Sequence, residues 1–196
     1  MPLRPGTERR VLDAAEELFT TQGIAATPVD AVLERSGVSA ATLYRGWSSK
    51  EALVAAALGR RHDAWLATWD DAVAAQDDDR GRLLAVFDAL DTFRSTSHGS
   101  RWCAFLGAAA EYAEAPPELA EVLHRESAAF RERLTASAEP LVGASAASAL
   151  AEQLLLVVSG ALAMRLRAPG ADTLVARSVA AALVDAALLA SATPAP

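Results

Sequence analysis

Along most of this chain apolar residues return every three or four positions, the period of one face of a helix. Val29, Val32 and Leu33 make a short stripe, and Leu43 with Trp47 makes a second. Leu53, Ala57, Trp65 and Trp69 mark a long helix that starts at Ser49 and reaches about Gln76. The Asp77-Asp78-Asp79 run ends it, and Asp79 is placed to cap the next helix, with Leu83, Phe87 and Leu90 on its apolar side. Trp102, Phe105, Leu106 and Ala109 share a face, as do Leu119, Leu123, Phe130 and Leu134. Thr96–Ser100 reads as a loop, Pro116-Pro117 separates two helices, and Pro140 and Gly143 close the second of them. Ser145 would cap a helix to about Arg167 and Asp172 a last one to about Leu189, with Pro169-Gly170 between them. Alanine is abundant and β-branched runs are few, so the fold class is all-α, with about nine helices.

The stretch from 27 to 50, TPVDAVLERSGVSAATLYRGWSSK, carries the sharpest local signals. Thr27 reads as an N-cap, with Pro28 at the first helical position and Asp30 three residues after the cap. Gly37 stands where a helix end favours positive φ. Ser39 caps a second helix, whose Leu43 and Trp47 point inward and whose Ala40, Ala41, Thr42, Tyr44 and Arg45 face elsewhere. Two short helices joined by a glycine-containing turn form a helix-turn-helix, and the second can enter a DNA major groove. The alternative is a plain helical hairpin inside a larger core.

The same stretch resembles the DNA-binding segment of the TetR family of bacterial transcriptional regulators. That pattern runs Thr, a short helix, Gly-Val-Ser, Thr-Leu-Tyr, an aromatic, then Ser-Lys-Glu-Ala-Leu. This chain has Thr27, Gly37-Val38-Ser39, Thr42-Leu43-Tyr44, Trp47 and Ser49-Lys50-Glu51-Ala52-Leu53. Val11 to Phe19 and Gly23 also resemble the family's first helix and its C-cap. The resemblance implies an N-terminal three-helix DNA-binding domain over 5–64 and a C-terminal helical ligand-binding and dimerisation domain over 65–196. It places Thr27, Tyr44 and Lys50 against the DNA backbone. Ser39, Ala40, Ala41, Thr42 and Arg45 complete the DNA-binding set. Arg45 is the only long cation on the second helix, and its fork suits either a guanine edge or a phosphate. Ala40 and Ala41 offer apolar contact alone. Gly46 departs from the family, where a larger residue is common; it removes a possible base contact and loosens the helix end.

For the rest of the chain the resemblance implies two further sites. Leu150, Leu154, Val157 and Ala161 form one apolar stripe, and Val175, Val179, Ala182 and Ala186 form another. These would pair with their copies in a second subunit, as a four-helix bundle; the other reading is core of the same chain. Trp65, Trp69, Phe87, Phe93, Trp102, Phe105, Tyr112 and Phe130 would line a ligand cavity, against the reading of ordinary aromatic core. Trp102 to Leu106, with Glu111-Tyr112, also resembles one branch of the family's regulatory domains. Asp88, Asp91, Glu111 and Gln153 are candidate polar anchors.

Charge and composition trim these readings. Eighteen Lys and Arg against 25 Asp and Glu leave a net charge of −7, which is unusual for a nucleic-acid binder. Residues 1–61 balance to +1, so the acidic excess lies in the remainder and disfavours indiscriminate DNA binding. Cys103 is the single cysteine, which excludes an intrachain disulfide and fits a reducing compartment. The N-terminus has no apolar signal core, and the run from Leu154 to Met164 is shorter than the roughly 20 residues of a membrane span. The expectation is a soluble, cytoplasmic protein without a membrane partner. His62, His98 and His124 are scattered without metal-ligand spacing, and no nucleophile elbow or phosphate loop is written in the chain. No enzyme activity, metal or cofactor is therefore expected. The reading is a homodimeric, ligand-responsive transcriptional regulator, most simply a repressor released from a palindromic operator by a mostly apolar small molecule. The alternative is a helical interaction protein of the same fold that has lost operator binding.

Overall fold

The computed structural model describes residues 3–99, 103–112, 114–168 and 170–192. Among them nine helices follow one another and no strand occurs, so the chain is all-α. They are α1 (Pro5–Gln22), α2 (Val29–Ser36), α3 (Ala40–Gly46), α4 (Lys50–Ala74), α5 (Asp79–Arg94), α6 (Ala104–Glu111), α7 (Pro117–Val142), α8 (Ala144–Arg167) and α9 (Leu174–Ala192). The expectations for Ser100, Trp102 and Pro169 lie outside the described residues.

The helices gather into two compact units. One joins Met1–Asp63 to Cys103–Arg125, and the other joins Ala64–Trp102 to Glu126–Pro196. The sequence suggested a single cut near residue 64, with everything after it in one domain. Instead α6 and the start of α7 belong to the first unit. The reason is apolar supply. Helices α1 to α3 bring Val11, Leu12, Ala15, Leu18, Phe19, Val32 and Leu43, and the start of α4 adds Leu53, Val54, Ala57 and Leu58. Phe105, Ala108, Leu119 and Val122 complete that core. On α6 the buried side is thus Phe105 with Ala108, while Leu106 and Ala109, expected to share that face, are exposed.

The helix ends follow local chemistry, with some one-residue differences. Gly37 takes left-handed φ (67°) and its N–H donates to the Leu33 carbonyl, as a helix C-terminus requires. Ser39 accepts from the Thr42 N–H, and Ser49 accepts from the Ala52 N–H at 3.0 Å. Asp78, not Asp79, caps α5 by accepting from the Gly81 N–H. Ser145 lies inside α8, whose cap is Gly143. Pro140 lies inside α7, which runs on to Val142 before Gly143 turns the chain. Asp172 accepts from the Leu174 N–H at 3.1 Å as α9 begins.

Thr27 differs most. Pro28 occupies the cap position of α2, and Thr27 is fully buried. Its hydroxyl donates backwards, to the Gly23 carbonyl at 2.7 Å, and lies 3.4 Å from the Leu18 carbonyl. It therefore closes off α1 rather than opening α2, because the α1 carbonyls need donors at a helix end.

In the second unit Leu83, Phe87, Leu90, Phe130, Leu134, Leu150, Leu154, Val158, Ala180 and Val184 share one core. Leu150 and Leu154, expected at a subunit interface, are thus spent inside their own chain, at 2% and 0% exposure. Ion pairs fasten α5 to α8 and α9. Asp91 accepts from Arg165 at 2.8 Å and from the Thr173 hydroxyl at 2.6 Å. Asp88 pairs with Arg177, and Asp185 with Arg80. Helices α8 and α9 are also long and apolar enough to cross a membrane by length and composition alone. The shorter run from Leu154 to Met164 understated this, because alanines and Leu150 continue the apolar stretch on its N-terminal side, past Glu152 and Gln153.

Glu126 lies at the edge of the second unit on α7. Burial pushes its carboxyl up to about 7, against the smaller opposing pull of Ser127 and Arg131. A folded-state pKa above the ordinary value means that the folded protein holds this proton more tightly. The resulting stability is complete below the ordinary value of 4.5 and is lost as pH rises through about 7. Glu126→Gln should therefore gain on the wild type in urea unfolding between pH 4.5 and 8, by no more than about 3 kcal/mol. A stability difference that is equal at both pH values refutes the assignment. Thr27→Val, which keeps shape but removes a buried donor, should lower unfolding free energy by roughly 1–2 kcal/mol without DNA present. An unchanged urea midpoint would mean that the hydroxyl is not holding the end of α1.

Candidate nucleic-acid interface

Helix α3 is the candidate reading element. Leu43 is fully buried and Trp47, the residue that ends the helix, is nearly so, which turns the opposite side outward. Ser39, Ala40, Ala41, Tyr44 and Arg45 are exposed there, and Thr42 is half-buried. The Ser39 and Thr42 hydroxyls lie 3.0 Å apart and bond to each other, so both are engaged at the start of the helix. Tyr44 is 51% exposed, with its phenol free of the core. Lys50 is the first residue of α4 and is half-buried.

These residues offer DNA distinct chemistries. Tyr44 is a neutral hydrogen-bonding group, Lys50 a point charge and Arg45 a planar fork of donors. Ala40 and Ala41 present methyl groups alone. Thr27 drops out of the exposed set, because its hydroxyl is committed to α1 and no part of it reaches the surface.

Gly46 has a positive role that the sequence did not reveal. A Cβ at this position would come within 2.5 Å of the Leu3 side chain. The bare glycine lets the N-terminal segment lie across the end of α3, where Leu3 joins the first unit's core. The missing side chain is thus replaced from elsewhere in the chain. Between α1 and α2 a groove of about 350 Å³ is lined by Arg10, Asp13, Ala14, Glu17, Arg35 and Ser36. Its charges balance, and Arg35 pairs with Glu17 at 2.7 Å, so it lacks the excess positive charge that tracks a phosphate backbone.

The aromatic residues expected around one ligand cavity divide between the units. Trp65, Trp69, Phe93 and Phe130 come together in the second. Trp65 stacks on Phe130 at 5.6 Å, meets Phe93 edge-on at 5.6 Å and lies 5.5 Å from Trp69. Phe87 is fully buried in the same core. Phe105 and Tyr112 belong to the first unit, where Phe105 meets the His62 ring at 6.1 Å. Burial raises the Tyr112 phenol, and the nearby carboxylates of Glu51 and Glu111 add to that. The split follows from α6 packing with α1 to α3. Within the aromatic group the Trp65 indole N–H is buried with no hydrogen-bond partner among the described residues. Among those residues no group of His, Cys, Asp and Glu is arranged to hold a metal.

A model of the tetR family of bacterial regulatory proteins matches residues 11–57. Over 100 residues the chain is 37% identical to the HTH-type transcriptional activator FasR of Mycolicibacterium smegmatis, covering 50% of this chain and 46% of that protein. Over 76 residues it is 36% identical to the uncharacterised HTH-type transcriptional regulator YdeS of Bacillus subtilis, covering 39% of this chain and 35% of that protein. The chain thus spans about half the length of these curated relatives, or less. The fold extends much further. A TetR-family regulator from Streptomyces coelicolor superposes with a TM-score of 0.78 over 97% of this chain and 98% of its own, at 24% identity. A proposed TetR regulator from Streptomyces avermitilis gives 0.77 over 92% and 97%, at 29% identity. Residues 11–57 thus carry the DNA-binding helix-turn-helix of the tetR family of bacterial regulatory proteins, on a fold that solved TetR regulators share over nearly its whole length.

Proposed function

We propose that the protein is a homodimeric transcriptional repressor that binds a palindromic operator and leaves it when a mostly apolar small molecule binds the second unit. The observation that carries this reading is the outward face of α3, where Ala40, Ala41, Tyr44 and Arg45 are exposed over a buried Leu43. A groove-reading helix so short covers only a few base pairs. Two copies on two half-sites supply the rest.

The second copy has a surface to meet. Leu156 and Met164 on α8, and Val175, Val179 and Leu189 on α9, are half to four-fifths exposed. Val175, Val179, Ala182 and Ala186 recur at helical spacing on α9, and on α8 Val157 and Ala161 are half-buried. Exposed apolar groups at this density call for a cover. The ion pairs that cross between α5, α8 and α9 favour a second subunit over a bilayer, where exposed charge is costly. For the ligand, the support is the group formed by Trp65, Trp69, Phe93 and Phe130. Its unpaired indole N–H suits a compound with one hydrogen-bond acceptor on an apolar frame. The transmission would run along α4 and α7, each a single helix that contributes residues to both units. A ligand shifts operator affinity only by its differential binding to the two states. An activator is the second reading, because FasR bears that name.

The test is selection of genomic fragments with the purified protein, followed by a reporter driven from the recovered site. Repression that a bound compound relieves is the expected result; loss of expression when the gene is deleted would favour the activator. Val179→Glu should convert the dimer to monomer in light scattering without unfolding either unit, since it buries an unpaired carboxylate only in the assembly. A monomeric wild type rules out the proposed assembly. On the operator, Lys50→Ala should flatten the dependence of log affinity on log salt by about 2, one phosphate contact per subunit. Arg45→Ala should cost roughly 1–3 kcal/mol per half-site on operator and little on scrambled DNA. Equal losses on both duplexes would make Arg45 a phosphate clamp.

A further inference from the structure

Glu111, the last residue of α6, reaches the turn between α1 and α2. Its Oε1 accepts the Ile24 N–H at 3.0 Å, and its Oε2 accepts the Ala25 N–H. Two successive backbone amides thus converge on one carboxylate, and hydrogen bonds to an ionised acceptor are the stronger kind. Gly23 shapes this turn through its φ of +89°, which other residues adopt only with strain. The Glu111 carboxylate packs against it at ordinary contact distance, 3.4 Å from where a Cβ would stand. The same turn is held from the other side by Thr27, whose hydroxyl and N–H bond to the Gly23 and Ile24 carbonyls. Ile24 itself is buried in the first unit's core.

This turn sets where α2 begins, and α2 with Gly37 sets where α3 lies. We propose that Glu111 is a positioning residue for DNA binding: a carboxylate latch by which α6 fixes the α1–α2 turn and, through it, the presentation of α3. The proposal rests on the DNA-binding reading above and adds the group that tunes it. Any displacement of α6 from α1 withdraws the acceptor from both amides and loosens the entry to the helix-turn-helix. Glu111 is exposed on its far side, so its replacement leaves the hydrophobic core intact.

The experiment compares wild type, Glu111→Gln and Glu111→Ala in the full-length protein. Amide hydrogen exchange of Ile24 and Ala25 is followed without DNA, and affinity is measured on the selected operator and on a scrambled duplex. In Glu111→Ala, exchange at Ile24 and Ala25 should rise about tenfold or more, while amides of α5 and α8 keep their protection. Operator affinity should fall about tenfold, with a smaller loss on scrambled DNA. Glu111→Gln retains one carbonyl acceptor and should recover part of both effects. Unchanged exchange at Ile24 and Ala25 overturns the latch. Faster exchange with unaltered operator affinity overturns its positioning role. A wild type that selects no DNA overturns the functional reading and the positioning role with it, whereas the exchange data still decide whether the latch exists.

Discussion

A helix of seven residues has no stability of its own in water, because the cost of its first turn is barely repaid before it ends. Helix α3 exists only because Leu43 and Trp47 are captured by a core that it does not itself build. Helices α1 and α2 cannot complete that core, since three short helices expose too much surface for the apolar area they bring. The start of α4 supplies Leu53, Val54, Ala57 and Leu58, and Phe105, Ala108, Leu119 and Val122 arrive from α6 and α7. The stiffness of the surface offered to DNA is therefore set by residues far along the chain.

Polar groups then choose the angles at which these helices meet. A core of alanine, leucine and valine tolerates small shifts in any direction, whereas a hydrogen bond weakens steeply once its angle falls below about 120°. Arg60 on α4 reaches both Asp13 and Glu16 on α1, at 2.8 Å and 2.5 Å. Thr27 closes the end of α1, Glu111 holds the following turn, and Ser39 starts α3. Arg60 ties the middles of two helices, whereas Thr27, Glu111 and Ser39 act at junctions, where backbone donors and acceptors lack helical partners.

The second unit shows a different balance. Helices α8 and α9 are so rich in small apolar residues that either face could be core. Burial divides them: Leu150, Leu154, Val158, Ala180 and Val184 turn inward, while Leu156, Met164, Val175 and Leu189 do not. Arg165 and Arg177 are tied to Asp91 and Asp88 on α5, which orients both helices and leaves an apolar side uncovered. The Trp65 group packs on itself, but the unpaired indole N–H marks a spot where polar chemistry is unfinished.

The sequence by itself determined the all-helical class, the boundaries of most helices to within a residue or two, and the helix-turn-helix with its Gly37 turn and Ser39 cap. These depend on interactions within about four residues, where spacing and residue type suffice. Tertiary structure alone decided the rest. Periodicity marks a stripe but not its neighbour, so it could not assign Leu150 and Leu154 to their own chain's core. Nor could it choose Phe105 over Leu106 as the buried residue, or divide the aromatics between two units. Side chains that bond across the chain carry no local signature. Thr27 looks like the cap of α2 until its hydroxyl is found on the Gly23 carbonyl that ends α1, Gly46 looks like a defect until Leu3 lies across it, and Glu111 looks like a polar anchor for a ligand until two amides meet it. In each case the deciding partner is brought near by packing, and packing depends on the whole chain at once.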